Sequence, residues 1–313
     1  MIPLHKAKII SQCLQLGMLL EVSSQKPGNV NLSSGFKGTK FEHFLASAVA
    51  SIPSFENAAL RGISVLDGNL ELEDLGIGKI IRDCVAEINV WQKGGNTLLG
   101  TIILFVPIAA AAGMTQLEDN FDLLQLRANI KKVIHSTTSK DAFHLYATFD
   151  SIKPGGLNKA PDFDLTSTES KKRLLSENVS LYDVFKIAAS YDDICSEWIT
   201  NYSISIDLSY PYLLKQMQTR DLNTSIVHTY LKILSKHPDT LISRKVGTKI
   251  SQEISSEANN LLQIGGLDTK EGRKGLIAFD KKLRKDGNHL NPGTTADLIA
   301  ATLSFLLLTG YRP

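Results

Sequence analysis

The chain has 313 residues, 43% of them apolar, which is enough for a sizeable buried core and too apolar for a disordered chain. Its 34 basic and 32 acidic side chains leave a formal net charge of +2 without a long block of either sign, so bulk charge indicates neither nucleic acid nor a membrane surface as partner. Three scattered cysteines, Cys13, Cys84 and Cys195, make neither a disulfide framework nor a Cys-x-x-Cys metal site, which fits a reducing cytoplasm.

Apolar residues recur with helical spacing along most of the chain, and the alternation that marks strands is almost absent. The spacing predicts an all-α fold, a single multi-helix domain over 1–313 with about twelve helices around an apolar core. They fall near 3–24, 41–61, 76–92, 97–113, 121–134, 139–150, 180–200, 209–218, 222–236, 249–263, 270–286 and 294–309. In the first of these, Ser11 and Gln12 interrupt the apolar run and no small-residue cleavage site follows, so no targeting signal is read. The most apolar stretch, Leu98 to Met114, contains Gly100, Thr101 and Pro107 and is shorter than the roughly 20 residues a membrane span needs. A buried core helix is expected there. The segment 151–179, with Lys153-Pro154-Gly155-Gly156 and many Ser and charged residues, reads as a surface loop or an internal linker.

Four segments have the composition of a ligand site. After the first helix comes Glu21 and then Lys26-Pro27-Gly28-Asn29, where proline and glycine end the helix and free backbone amides and the Lys26 amine to meet an anion. On spacing alone, an ordinary helix C-terminus with a proline stop is the stronger reading. Lys93-Gly94-Gly95-Asn96-Thr97 leads into the apolar helix, and a glycine pair before a helix start can cradle phosphate; Asn96 or Thr97 acting only as a cap is the alternative. His237-Pro238-Asp239 to Arg244-Lys245 sets a carboxylate near two cations, the arginine able to grip phosphate with two donors, or else it is a solvated loop. Asn291-Pro292-Gly293-Thr294-Thr295-Ala296-Asp297 opens the last helix, with Asp297 either closing a capping box with Thr294 or binding Mg²⁺. Tyr191-Asp192-Asp193, on a predicted helix, adds two carboxylates, and because adjacent residues point to different sides of a helix at most one of them should face a site. Histidines 43, 135, 144 and 228 stand alone, and neither Gly-x-Ser-x-Gly, His-Glu-x-x-His nor a dinucleotide fingerprint occurs.

In this order and spacing, from about Glu21 to Phe305, the segments resemble the triphosphoribosyl-dephospho-CoA synthase family. Its members carry a Glu before a Lys-Pro-Gly turn, a Gly-Asn-Thr segment before an apolar helix, a central Asp loop with basic residues, and Asn-Pro-Gly-x-(Ser/Thr)-Ala-Asp near the end. The resemblance implies an all-α enzyme that joins the triphosphoribosyl group of ATP to a ribose hydroxyl of 3′-dephospho-CoA and releases adenine. In that reading Glu21 and Asp239 are catalytic, and Asp239 and Asp297 hold Mg²⁺. Lys26, Gly28, Gly94, Gly95, Asn96, Thr97, Arg244, Lys245 and Asn291 then bind the nucleotide. Two departures bear on the acceptor. Better-known members have His-Lys where this chain has Leu98-Leu99, and a Gly-x-His-x-Asp-Met stretch where it has Gly35 to Lys40. A nucleotide-binding protein that has lost catalysis and a metal-dependent nucleotide or phosphate hydrolase on a helical scaffold are the competing readings. The expected partners are small molecules, ATP and dephospho-CoA or another hydroxyl acceptor, with no nucleic acid and no membrane; a homodimer is left open.

Overall fold

A computed structural model describes residues 2–152, 162–165 and 167–313. In chain order the first eight helices are α1 (Pro3–Ser23), α2 (Phe41–Ala50), α3 (Ile52–Leu66), α4 (Ile77–Trp91), α5 (Leu99–Met114), α6 (Leu123–His135), α7 (Ser139–Ser151) and α8 (Thr168–Ser176). The other eight are α9 (Leu181–Ala188), α10 (Asp193–Ile199), α11 (Tyr210–Met217), α12 (Leu222–Lys236), α13 (Thr240–Val246), α14 (Thr248–Gln263), α15 (Lys270–Arg284) and α16 (Gly293–Leu308). Among the described residues no strand forms, so the expected all-α class is observed. No helix of the described residues is long and apolar enough to cross a membrane.

Two expected helices are each split in two, for local reasons, and two short helices are added. The helix read over 41–61 is two, because Pro53 has no N–H to donate and its ring crowds the preceding turn; α2 stops at Ala50 and α3 restarts with Pro53 in its first turn. The helix read over 180–200 is also two. Asp192 takes an extended backbone (φ −138°, ψ 114°) and its carboxylate accepts from the amides of Ile194 and Cys195, which starts α10 afresh. Two short helices were not expected: α8 within 151–179, capped by Ser167, and α13 within the His237–Lys245 segment, capped by Asp239. Lys153-Pro154-Gly155-Gly156 lies outside the described residues.

The core is built on α5, which is apolar on every face and therefore has to be surrounded. It packs against α1, α3, α4, α6 and α16, and all of its residues except Gly100 are buried. Pro107 sits inside it and cannot donate to the carbonyl of Ile103; Trp198 Nε1 donates to that carbonyl instead, at 3.3 Å. Tyr202 OH donates to the next carbonyl, Leu104 O, at 2.7 Å, so the segment after α10 is fastened to α5 by two buried aromatic donors. At the far end, Lys6 Nζ from α1 donates to Gly113 O at 2.6 Å, a cation at a helix C-terminus. With α5 held in this way, its N-terminus and that of α16 open on the same side of the molecule, at one cavity.

Candidate active site

The cavity has a volume of about 880 Å³ and draws on all four segments singled out from the sequence. Glu21, Asn29, Asn96, Thr97, Arg244, Lys245, Asn291 and Asp297 are on its wall. These come from the end of α1, the start of α5, α13 and the start of α16, so residues separated by most of the chain meet at one place.

The two chain ends are tied together first. Asn29 Nδ2 donates to Asn291 Oδ1 at 2.8 Å, joining the Lys-Pro-Gly-Asn turn to the Asn-Pro-Gly turn. Tyr230 OH donates to Pro27 O at 3.0 Å and the Gly28 amide donates to Asp280 at 2.7 Å, which clasps the first turn between α12 and α15. Gly28 therefore serves the scaffold and does not reach the cavity wall. Lys26 is also absent from the wall: it is completely buried, its Nζ 3.0 Å from Glu21 Oε1 and 3.2 Å from Ser24 O. It lies behind Glu21, off the cavity wall. Burial pushes the Glu21 carboxyl up and the Lys26 amine down, against the attraction of each for the other.

The glycine pair behaves similarly. Gly94 donates its amide to Gln92 Oε1 and offers its carbonyl to Thr39 Oγ1, while Gly95 O accepts from Gln92 Nε2, so neither glycine lines the cavity. Asn96 does, and it also caps α5 by accepting from the Leu99 amide at 3.1 Å. Thr97 lines the cavity beside Ser47, their hydroxyl oxygens 2.8 Å apart.

Asp297 does not close a capping box on its own helix. Its Oδ1 reaches across to α5 and accepts from the Thr101 amide at 2.9 Å and from the Thr101 hydroxyl. This approach depends on Gly100: a Cβ there would stand 2.1 Å from Asp297 Oδ2. Desolvation, Glu21 and Asp239 hold the Asp297 carboxyl up at about 8, so it carries a proton at neutral pH in the absence of a cation.

Asp239 ties the other helix start. It caps α13 through the Ile242 amide (3.0 Å) and also accepts from the amide and hydroxyl of Thr295 in α16, both at 2.8 Å. With both oxygens engaged, and standing behind the wall, it fixes α13 against α16. Burial raises its carboxyl above the usual range in spite of these donors. Arg244, three positions on from Leu241 in the cavity wall, ion-pairs with Asp192 at 2.5 Å, and Lys245 Nζ donates to Asn288 O at 2.9 Å.

Two features were not among the site residues read from the sequence. Gly100 and Thr101 form the receiving end for Asp297, a contact between distant residues that leaves no local pattern. Asp192 and Asp193 both line the cavity, against the expectation that only one would. The helix break at Asp192 puts that residue outside helical geometry, so the rule for neighbours on one helix does not apply. Burial, with Asp239, Asp192 and Glu197 nearby, lifts the Asp193 carboxyl to about 7.

Chemically, the wall presents two long-helix N-termini, two basic side chains and several carboxylates around a volume that suits a nucleotide. Many of the helix-start amides are already spent on Asn96, Asp297 and Asp239, so an anionic ligand here needs cations beside the carboxylates. Among the described residues no cluster of three or more His, Cys, Asp or Glu side chains forms a ready-made metal cage.

A family model described as ATP:dephospho-CoA triphosphoribosyl transferase matches residues 7–312. The chain is 24% identical over 305 residues to the 2-(5′′-triphosphoribosyl)-3′-dephosphocoenzyme-A synthase of Escherichia fergusonii, covering 96% of this chain and 90% of that one. It is 25% identical over 305 residues to a Malonomonas rubra protein named as a probable synthase of the same kind, covering 96% and 87%. The fold is similar to a crystal structure from Archaeoglobus fulgidus, provisionally named a triphosphoribosyl-dephospho-CoA synthase, with a TM-score of 0.64 and 25% identity over 87% of this chain and 100% of that one.

Proposed function

Because the chain belongs to the ATP:dephospho-CoA triphosphoribosyl transferase family, we propose that it transfers the triphosphoribosyl group of ATP to a hydroxyl of 3′-dephospho-CoA and releases adenine. The observation that carries this reading is the meeting of Glu21, Asn96, Arg244 and Asp297 on the wall of one cavity, although they lie at opposite ends and in the middle of the chain.

The reaction needs the triphosphate held, positive charge on the ribose accommodated, and a hydroxyl deprotonated. Arg244 and Lys245, with the N-termini of α5 and α16, suit the triphosphate. Asn96, Thr97 and Asn291 supply neutral hydrogen-bonding groups for the nucleotide. Glu21 is suited to the ribose: its carboxylate lines the cavity with Lys26 buried behind it, and a carboxylate favours the oxocarbenium-like charge that develops as the bond to adenine breaks.

The wall also fits Mg²⁺. A site of this type needs one or two carboxylates and takes its other ligands from phosphate oxygens and water. Asp297 is the carboxylate that fits, since only its Oδ1 is taken up by Thr101. The ion would supply neutralisation of triphosphate charge. Asp239, whose oxygens already accept from Ile242 and Thr295, keeps Asp297 and Arg244 in register through α16 and α13.

Purified protein incubated with ATP, Mg²⁺ and dephospho-CoA should release adenine, seen by chromatography, together with a product heavier than dephospho-CoA by the triphosphoribosyl mass. ADP or inorganic phosphate in place of adenine would select a hydrolase instead. Adenine release that needs a different hydroxyl compound would keep the chemistry and change the acceptor.

A further inference from the structure

We infer that Asp193 is the general base, its Oδ2 taking the proton from the acceptor hydroxyl as that oxygen attacks the ribose. The inference rests on the transferase reading above and adds to it a residue and a proton path.

Each other carboxylate on the cavity wall has a charged or hydrogen-bonding partner, although Asp297 keeps its Oδ2 open. Glu21 pairs with Lys26 at 3.0 Å, and Asp192 accepts from Arg244 and from two amides of α10. Asp297 accepts from Thr101, and Asp162 pairs with Arg173 at 2.8 Å. Asp193 differs. Its Oδ2 is buried with no hydrogen-bond partner among the described residues; Glu21 Oε1 shares that condition but has the Lys26 ammonium 3.0 Å away, and Asp193 lines the cavity without such a counter-charge against that oxygen. A buried carboxylate oxygen left without a donor is costly, and folded proteins keep few of them. The acceptor substrate, bound in the cavity that the residue lines, brings a hydroxyl, a donor that the described residues do not supply to this oxygen.

The residue is also held still. Its amide donates to Thr240 Oγ1 at 3.2 Å, and that hydroxyl donates to Thr294 Oγ1 at 3.3 Å, so the backbone of Asp193 is pinned to the starts of α13 and α16. These are the two helices that carry Arg244 and Asp297 into the cavity. The charges around it are Asp239 from α13, its neighbour Asp192, Glu197 one turn on in α10, and Arg244, which opposes them. Desolvation and the three carboxylates together hold the group at about 7, where a base is both available at neutral pH and strong enough to accept a proton.

The step balances as follows. The acceptor oxygen forms a bond to C1′ of the ATP ribose while the C1′–N9 bond breaks, and adenine leaves with that electron pair. The hydroxyl proton passes to Asp193 Oδ2, adenine takes up a proton from water, and Asp193 later returns its own to water.

The test compares wild-type protein with Asp193→Asn and Asp193→Ala, measuring adenine release against pH, the KM for ATP, and the melting temperature. Asp193→Asn should lower kcat by about 10²- to 10⁴-fold with KM for ATP changed less than about threefold, the range expected for loss of a general base. Wild-type kcat should rise with pH through about 7, and that acid limb should vanish in Asp193→Asn. Formate added to Asp193→Ala should restore part of the rate, which a purely structural role would not permit; this arm stands even if the asparagine variant folds poorly. Wild-type protein that releases adenine, with Asp193→Asn retaining more than about a tenth of kcat or keeping the limb, would overturn the base assignment alone. Wild-type protein that releases no adenine with any acceptor would overturn the transferase reading, and this inference with it.

Discussion

Replacing Lys26 by methionine keeps most of the side-chain volume and deletes the charge that faces Glu21. Lys26 is completely buried and Glu21 nearly so, with Nζ and Oε1 3.0 Å apart, and Nζ donates to the Ser24 and Glu21 carbonyls as well. In Lys26→Met, Glu21 becomes a buried carboxylate with no counter-charge, and burial already favours its neutral form. The variant can escape by protonating Glu21, which at pH 7 costs about 3.7 kcal/mol starting from a glutamate pKa of about 4.3. That agrees with the roughly 3–5 kcal/mol found when one partner of a buried pair is removed. With a urea slope of about 2–3 kcal/mol per molar, the midpoint should fall by about 1–2 M at pH 7. Since the cost is that of protonation, it should shrink to about 1 kcal/mol at pH 5. Glu21→Gln combined with Lys26→Met should recover more than half of the loss at pH 7. Urea titrations followed by far-UV circular dichroism at both pH values measure all three quantities. A Lys26→Met deficit below about 1 kcal/mol at pH 7, or one that does not depend on pH, would refute the reasoning.

Further outcomes follow from the same contacts. Asp297 has a folded pKa of about 8, above the unfolded value of about 3.9, so its contribution to stability is present in acid and is lost as pH rises through 8. Asp297→Asn should therefore flatten the fall in stability between pH 5 and 8 by up to about 1.4 kcal/mol per unit, measured from urea midpoints; an unchanged slope would place the titration elsewhere. Gly62→Ala would put a Cβ 1.9 Å from Ala110 O where α3 crosses α5, and overpacking of this kind costs about 1–3 kcal/mol or more. Its melting temperature should drop by about 2–5 °C, and a wild-type value would mean the helices can part without loss. Arg244→Ala removes a charged donor from the cavity wall, worth about 1.5–3 kcal/mol to a bound anion, so the KM for ATP should rise by about tenfold or more in the adenine-release assay. An unaltered KM would remove Arg244 from the nucleotide site.

The segments that carry the family resemblance hold residues in two kinds of place. Asn96, Arg244, Asn291 and Asp297 reach the cavity, whereas Lys26, Gly28, Gly94, Gly95 and Asp239 hold the elements that present them. A motif read along the chain does not separate these, because both kinds of residue are polar, small or charged and occur within a few positions of one another. Lys26 illustrates the point. Beside a proline-glycine turn it reads as a free cation, and only the packing of α12 and α15 over that turn encloses it with Glu21.

By itself, the sequence determined what depends on neighbours a few residues apart. Helical spacing gave the all-α class, the apolar run from Leu98 to Met114 gave the buried helix at the centre, and turns containing proline or glycine gave the four segments that meet at the cavity. Tertiary structure decided what depends on distant partners. Asp297 binds Thr101, 196 residues away, in place of the cap three residues before it, because Gly100 leaves room for the carboxylate. The Asp193 oxygen is notable for the partner it lacks, and a missing contact is defined only once every neighbouring helix has taken its position. The physical reason is the same in both cases: hydrogen bonds and charges act over a few ångströms in space, and the order of residues along the chain fixes those distances only within a single helix.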